Sequence, residues 1–551
     1  MRTNRTLLLI MGLMLSFSTM VEAIQYKFFV RFTDKNGSPY SVSNPSAFLS
    51  AKAIARRAAQ QIPITDIDLP VNQTYINGLT SSGALVLTRS KWFNGATIQC
   101  DSNVLANVLT LPYVLGAKHV ERHTSTHITK DEVIAQNTPS LARTMSYDYG
   151  GSFNQIHLMN GEYLHNAGYS GEGMVIALLD AGFYAVDQLP AFDSLRTRGG
   201  ILGTWDFVMN ESAVYEDDTH GMEVLSTIAG NIPGELVGTA PHADFWLLRS
   251  EDAPIENIIE EYNWDAAAEF ADSVGADVIS SSLGYSTFDD SSMNHAYSDM
   301  DGNTCPASVA ADIAVSRGML VLVSAGNSGG NSWHYISAPS DADSVLAVAA
   351  VDEFGNYVGF SSWGPASDGD VKPNVAAKGL YSTLSDWSGM ITQGSGTSFA
   401  CPILAGSATC LWQAHPGASA MEVKRAIEES ANYYNTPTDS LGYGIPNFAN
   451  ADFILGVPTI AQNHDVIYSV YPNPLSDQLN IRLYSTTNGP VKTELYNSIG
   501  ELISSSTESL ISGANQVIQI PLNAALADGV YFLKVSTKEL SSSLSLVKTG
   551  R

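Results

Sequence analysis

The chain has 551 residues, 44% hydrophobic and 15% charged, enough for about three to four folded units at roughly 150 residues each. Its formal net charge of −27 argues against nucleic acid and anionic membrane surfaces as main partners, since both would be repelled. Four cysteines are too few for a disulfide scaffold and fit no zinc spacing, and sequence does not choose a pairing among Cys305, Cys401 and Cys410.

Residues 1–23 place Arg2 and Arg5 before an apolar run, Leu7 to Phe17, and end in Val21-Glu22-Ala23. This reads as a secretory signal peptide cut after Ala23. The run is too short to span a bilayer, and no later run reaches 18 apolar residues. In residues 24–145, "IQYKFFVRFTDKNG" predicts a strand and turn. "NPSAFLSAKAIARRAAQQ" predicts an amphipathic helix with a basic stripe, Lys52, Arg56 and Arg57. Alternating segments extend this small α+β unit to about residue 125, and a polar linker follows to about 150.

From 146 to 457 the texture changes. "GMVIALLD", "ADFWLLRS", "ADVISSSLG", "MLVLVSAGN" and "SVLAVAAV" read as apolar strands. They alternate with helical stretches at "HGMEVLSTIAG", Ile255–Val274 and "PASVAADIAVSRG". That alternation predicts an α/β domain: a parallel sheet with helices on both faces. Ligands of such sheets sit beyond the carboxyl ends of the strands, where Asp180, Gly284 and Asn327 fall. In residues 463–551 the helices stop. Short alternating strands such as "DQLNIRLYS" and "GVYFLKVST" predict a small all-β sandwich.

Asp180 closes a strand, His220 opens a helix in "DDTHGMEVLS", and Ser398 opens another in "GTSFACPILAG". A serine hydroxyl is a weak nucleophile unless a base takes its proton. A histidine does this well when a carboxylate fixes its tautomer and steadies the imidazolium. Singly, each has a plainer reading: a structural strand-end acid, a solvated histidine, an N-cap serine. Together they stand in the order Asp, His, Ser, which the subtilisin triad shares.

Residues of about 150 to 455 resemble the subtilisin-like serine proteases. "LLDAGF", "THGMEVLSTIAG" and "GSGTSFACPILAG" are similar to that family's aspartate, histidine and serine motifs. "ISSSLG" resembles its substrate-binding strand, and "LVSAGNSG" its oxyanion asparagine segment. The resemblance implies Ser398 as nucleophile, His220 as general base and then acid, Asp180 as orienting carboxylate, and Asn327 as oxyanion donor. It implies Ser282, Leu283 and Gly284 as the strand that pairs with an extended substrate. Ala181, Met222, Phe399, Asn374 and Lys378 depart from the family's usual residues, and Ala181 removes a hydroxyl beside the aspartate.

Residues 24–145 resemble the family's pro-regions, which chaperone folding and block the cleft. The C-terminal stretch, with "YPNPLSDQLNI", "ELYNSIGELI" and a terminal "LVKTGR", resembles the sorting domain of type IX secretion in Bacteroidetes-type bacteria. The resemblance implies a secreted serine endopeptidase, made as a monomeric precursor. It would act on protein or peptide substrates, meet the outer-membrane secretion machinery, cross both membranes, and remain extracellular or attached to the cell surface. The chemistry needs no cofactor. Relatives often bind structural calcium, but no acidic spacing here reads as a calcium loop. The alternative is an inactive subtilisin-fold binding protein at the cell surface, against which the intact Asp180, His220, Ser398 and Asn327 argue.

Overall fold

A computed structural model describes residues 25–121, 147–456 and, apart from short gaps, 465–548. The expected signal peptide and nearly all of the expected linker lie outside the described residues. The chain divides into two compact units, residues 1–452 and 453–551.

The first unit opens with β1 (Tyr26–Phe32), α1 (Ala51–Ala59), α2 (Gln73–Ser81), β2 (Leu85–Ser90), β3 (Gly95–Cys100) and β4 (Val114–Glu121). The strands form an antiparallel sheet, β2-β3-β1-β4. Val30, Phe32, Leu79 and Ile98 fill the core of this layer.

A seven-stranded sheet follows, built from β5 (Val175–Asp180), β6 (Ile201–Asp206), β7 (Asp244–Arg249), β8 (Val278–Ser281), β9 (Leu320–Ser324), β10 (Leu346–Val351) and β11 (Val375–Lys378). All neighbours are parallel, in the order β11-β10-β9-β8-β5-β7-β6. Every residue of β5, β8, β9 and β10 is buried, as strands covered on both faces require. Four helices position the site: α3 (His220–Ala229), α4 (Ile259–Val274), α5 (Pro306–Ser316) and α6 (Thr397–Ala414). Successive strand residues face opposite ways. Val175, Ala177 and Leu179 pack with Trp264, Ala267 and Ala310 of α4 and α5. Asp180, out of phase with them, belongs to the face that α3 and α6 cover. β6 and β7 lie on one side of β5 and β8 to β11 on the other, so a crevice opens beyond the carboxyl ends of β5 and β8.

The helix expected from Ile255 begins only at Ile259. The Glu260 carboxylate accepts the amides of Asp252 and Asn257, at 2.9 and 3.0 Å, and holds the preceding residues as a turn instead.

The N-terminal layer docks on α4 and α5 through buried charge. Arg56, Arg57 and Lys91 converge on Asp272 of α4, at 2.6, 2.7 and 3.0 Å. Arg57 also reaches Asp68, which Arg317 meets from the other side. Glu269 accepts the amides of Lys91 and Trp92 and the hydroxyl of Ser90. Phe29 stacks on Tyr262 with centroids 4.4 Å apart. The basic stripe of α1 is therefore a docking surface, not a solvated face.

The second unit has antiparallel strands in two sheets. Val466–Tyr471, Gln478–Ser485 and Ala514–Pro521 form one. Gly489–Asn497, Leu502–Leu510, Gly529–Ser536 and Ser541–Lys548 form the other. Leu479, Ile481, Leu495 and Leu533 share one core between them, so this unit is all-β as expected.

Asp272 sets the strength of the N-terminal docking. Burial works to raise its carboxyl, but Lys91, Arg56 and Arg57 outweigh burial and hold it at about 2. Its contribution is therefore present above about pH 3.9, the ordinary aspartate value, and is lost as pH falls through about 2. Asp272→Ala strands Arg56 and Lys91, while Arg57 keeps Asp68, a loss of about 3–5 kcal/mol. Calorimetry of the full chain should show the N-terminal layer unfolding roughly 10 °C or more below its wild-type temperature.

Candidate active site

The site begins with two glycines. A Cβ on Gly221 would lie 2.4 Å from the carbonyl oxygen of Gly182 and 2.8 Å from the Asp180 Cβ. A Cβ on Gly182 would lie 2.4 Å from the Asp218 amide. Their bare backbones let the first turn of α3 sit directly on the end of β5. His220, the first residue of α3, consequently meets Asp180, with Nδ1 2.7 Å from Oδ1.

Asp180 is fully buried. Its Oδ1 also accepts the Ala181 amide at 2.8 Å, and its Oδ2 has no hydrogen-bond partner among the described residues. Ala181, the next residue, has no hydroxyl to offer that acceptor. Burial works against the His220 imidazolium. Asp180, by charge and hydrogen bond, outweighs burial with help from Glu251 and Glu223, and pushes the His220 pKa up to about 9.

Ser398 is the second residue of α6 and lines the same cleft as His220. Its hydroxyl lies 3.5 Å from the Ser282 carbonyl oxygen and makes no hydrogen bond to His220 in this conformation. The Ser282 hydroxyl in turn donates to the Ser398 carbonyl at 2.8 Å, tying the end of β8 to the helix start. The first amides of a helix have no intrahelical acceptor. That of Thr397 is taken by Asn327 Oδ1 at 2.9 Å, and that of Ser398 is left without a backbone acceptor.

Asn327 follows β9. Its Oδ1 accepts both the amide and the hydroxyl of Thr397, at 2.9 Å each. With the oxygen committed, the side-chain NH₂ is left for the cleft that Asn327 lines. Sequence reasoning does not single out Thr397, although its place immediately before the serine is a signal. Ser282 and Leu283 are buried and Gly284 is exposed, continuing β8 along the cleft. A Cβ on Gly284 would come within 2.3 Å of Ser337 Oγ.

Cys401 lies one turn along α6, fully buried, with Sγ 3.7 Å from the Ser281 carbonyl oxygen. Burial pushes its thiol up to about 12, so it is a neutral filler beneath the site. All four cysteines are free. Two groups of side chains have donors close enough to share one metal ion among the described residues, Glu261–His295–Cys305 and Asp343–Asp368–Asp370. Neither lines the cleft.

Residues 171–444 match the model of the Subtilase family. Subtilisin from Bacillus pumilus is 31% identical over 274 residues, covering 49% of this chain and 88% of that protein. The chain belongs to the subtilase family. Subtilisin E from Bacillus subtilis (strain 168) is 29% identical over 359 residues, 64% of this chain and 80% of that one. Subtilisin Savinase from Lederbergia lenta is 28% identical over 290 residues, 51% and 92% of the two chains. Residues 27–136 match the Peptidase S8 propeptide domain of Bacteroidota, and residues 469–549 the Secretion system C-terminal sorting domain. This subtilase is a serine endopeptidase with a propeptide, and its sorting domain indicates type IX secretion to the cell surface or beyond.

Gly221→Ala tests whether the glycine contact sets the site. The added methyl forces α3 off β5, and misplacing a reacting group by about 1 Å costs on the order of 10²-fold in rate. The expected result is a kcat about 10²-fold lower on a peptide substrate, with KM changed little.

Proposed function

We propose that this subtilase hydrolyses peptide bonds through an Asp180–His220–Ser398 triad and an acyl-enzyme. The observation that carries the reading is the 2.7 Å hydrogen bond from His220 Nδ1 to buried Asp180, in the cleft that Ser398 lines. Asp180 holds the proton on Nδ1 and leaves Nε2 to accept the Ser398 proton. A rotation of the Ser398 side chain away from the Ser282 carbonyl brings its hydroxyl to Nε2, a tightening typical of substrate complexes. The oxygen then attacks the scissile carbonyl. The tetrahedral oxyanion takes hydrogen bonds from Asn327 Nδ2 and the Ser398 amide. His220 returns its proton to the leaving amine, and water repeats the sequence to release the acyl group. An extended substrate pairs with the backbone of Ser282, Leu283 and Gly284 like an added strand.

The N-terminal region, residues 24–145, acts as inhibitor and folding aid until the linker is cut. The catalytic domain, 146–457, is the secreted enzyme. The region 463–551 is the address for passage across both membranes, where the secretion machinery is its partner.

A fluorophosphonate probe should label the wild-type secreted protein and not Ser398→Ala. Absent labelling of the wild type overturns the enzymatic site, and labelling that survives the substitution overturns the choice of serine. Asn327→Ala should lower kcat by about 10²–10³.

The pH profile gives a separate check. Below its pKa, His220 holds a proton and cannot accept one from Ser398, so kcat/KM should climb through about pH 9 before levelling. Glu223→Gln removes one of the charges that hold the proton on and should move this limb to lower pH. A limb centred near 6.5, unmoved by that substitution, overturns the claim that these charges raise His220 and leaves the triad standing.

A further inference from the structure

The cleft beside Ser398 has a volume of about 570 Å³ and an uneven charge. Asp218, Glu223, Glu251 and Glu256 line it, and none of its described lining residues is lysine or arginine. Arg249, close in sequence, is taken up by Asp206, Asp217 and Asp252, at 2.7, 3.4 and 3.2 Å.

The acids act on one another. Asp218 uses one oxygen on the His220 amide, at 2.8 Å. Burial pushes the Glu223 carboxyl up to about 7 against the pull of His220, and Asp218, Asp386 and Asp180 push the same way. Burial raises Glu256 well above the usual range, and Glu251, Asp289 and Glu261 add to it. Beneath them Glu260, 1% exposed, is raised by burial, Glu256 and Glu251, although it accepts two backbone amides. Apart from His220, the charges that bear most on Glu223, Glu256 and Glu260 are those of other acids.

A second observation lies next to the substrate-binding strand. Tyr285, directly after Gly284, is fully buried, and its hydroxyl has no hydrogen-bond partner among the described residues. The charges bearing on that hydroxyl are Glu251, Glu260, Glu256 and Glu261. A buried phenol hydroxyl can accept as well as donate, and this one stands beside like-charged carboxyls whose burial favours the arrival of a counter-charge. Among the described residues, the groups of side chains whose donors lie close enough to share one metal ion are elsewhere. A longer cation with several donors fits better. Leu283, Leu380, Tyr381 and Phe399 line the same cleft and offer apolar surface for an aliphatic stem.

We infer that the cleft selects substrates with lysine or arginine side chains flanking the scissile bond, held by Glu251 and Glu256 with Glu223 and Asp218 nearby. The inference rests on Ser398 being the nucleophile, as proposed above. A neutral side chain would strip water from these carboxyls and return nothing. An ammonium or guanidinium pairs with them through charge-assisted hydrogen bonds.

The test uses the secreted protein and internally quenched peptides differing only in lysine, arginine, glutamine or norleucine at each position around the cleaved bond. At one or more positions the cationic peptide should show at least tenfold higher kcat/KM than its neutral counterpart. The ratio should shrink in 0.5 M salt, where rim charges are screened. Glu251→Gln/Glu256→Gln should bring the ratio down to about threefold or less while fluorophosphonate labelling persists. An enzyme that labels and cleaves with a wild-type ratio near one overturns the cationic preference and leaves the triad standing. A ratio that the double substitution leaves unmoved overturns the role of these glutamates in the same way. A protein that fails to label overturns the triad itself.

Discussion

The contact between the amino end of α3 and the carboxyl end of β5 is the constraint on which the site depends. Gly182 and Gly221 have no Cβ, so helix and strand approach until imidazole and carboxylate touch. The parallel sheet supplies the other ends at the same level. Leu179 is in register with Ser281, and Ser281 with Val323. The segments after β8 and β9, carrying Ser282 and Asn327, therefore open on one crevice. Thr397 links the last two pieces, since it binds the Asn327 oxygen while its neighbour Ser398 faces the cleft. Most of these tethers are short hydrogen bonds to backbone, which fix positions without long flexible side chains.

The N-terminal layer is held by a different physics. Asp272, Asp68 and Glu269 are buried with Arg56, Arg57 and Lys91 around them. Buried ion pairs give little net stability, because each charge must first lose its water. They are demanding about geometry, since any missing partner leaves an uncompensated charge. Such an interface favours one correctly seated arrangement. Apolar contact accompanies the charges, since Phe29, Trp92 and Val120 belong to one buried cluster with Tyr262 and Ala266 of α4. Phe29 stacks on Tyr262 at its centre, with centroids 4.4 Å apart.

Acidity runs through the whole molecule, yet its effect is local. The −27 net charge is distributed over 55 acids and 28 bases. At the cleft the imbalance is concentrated, because Arg249 is consumed by neighbouring aspartates and the glutamates around Tyr285 act on one another. The same carboxylates act on His220 from a distance and on the pocket directly. Base strength and pocket chemistry are thus coupled through one set of charges.

The sequence alone determined the layered order of the chain: a small α+β region, a parallel α/β domain and an all-β tail. Run length and periodicity distinguish these classes, because strands covered on both faces are continuously apolar. It also determined Asp180, His220 and Ser398 at strand or helix ends and Asn327 just past one, since such ends are marked by a polar residue closing or opening an apolar run. It overextended one helix, because nothing in "PIENIIEE" shows that the Glu260 side chain captures the two preceding amides. It left open what Arg56 and Arg57 meet, why Cys401 stands in the serine helix, and that Thr397 orients Asn327. Those facts are long-range pairings, with partners at positions 272, 281 and 327 fixed only when sheet order brings distant segments together. Only the tertiary structure decided that Asp218, Glu223, Glu251 and Glu256 converge on one cleft that no described lysine or arginine lines, because charge in a sequence is a count, while charge in a fold is a set of distances.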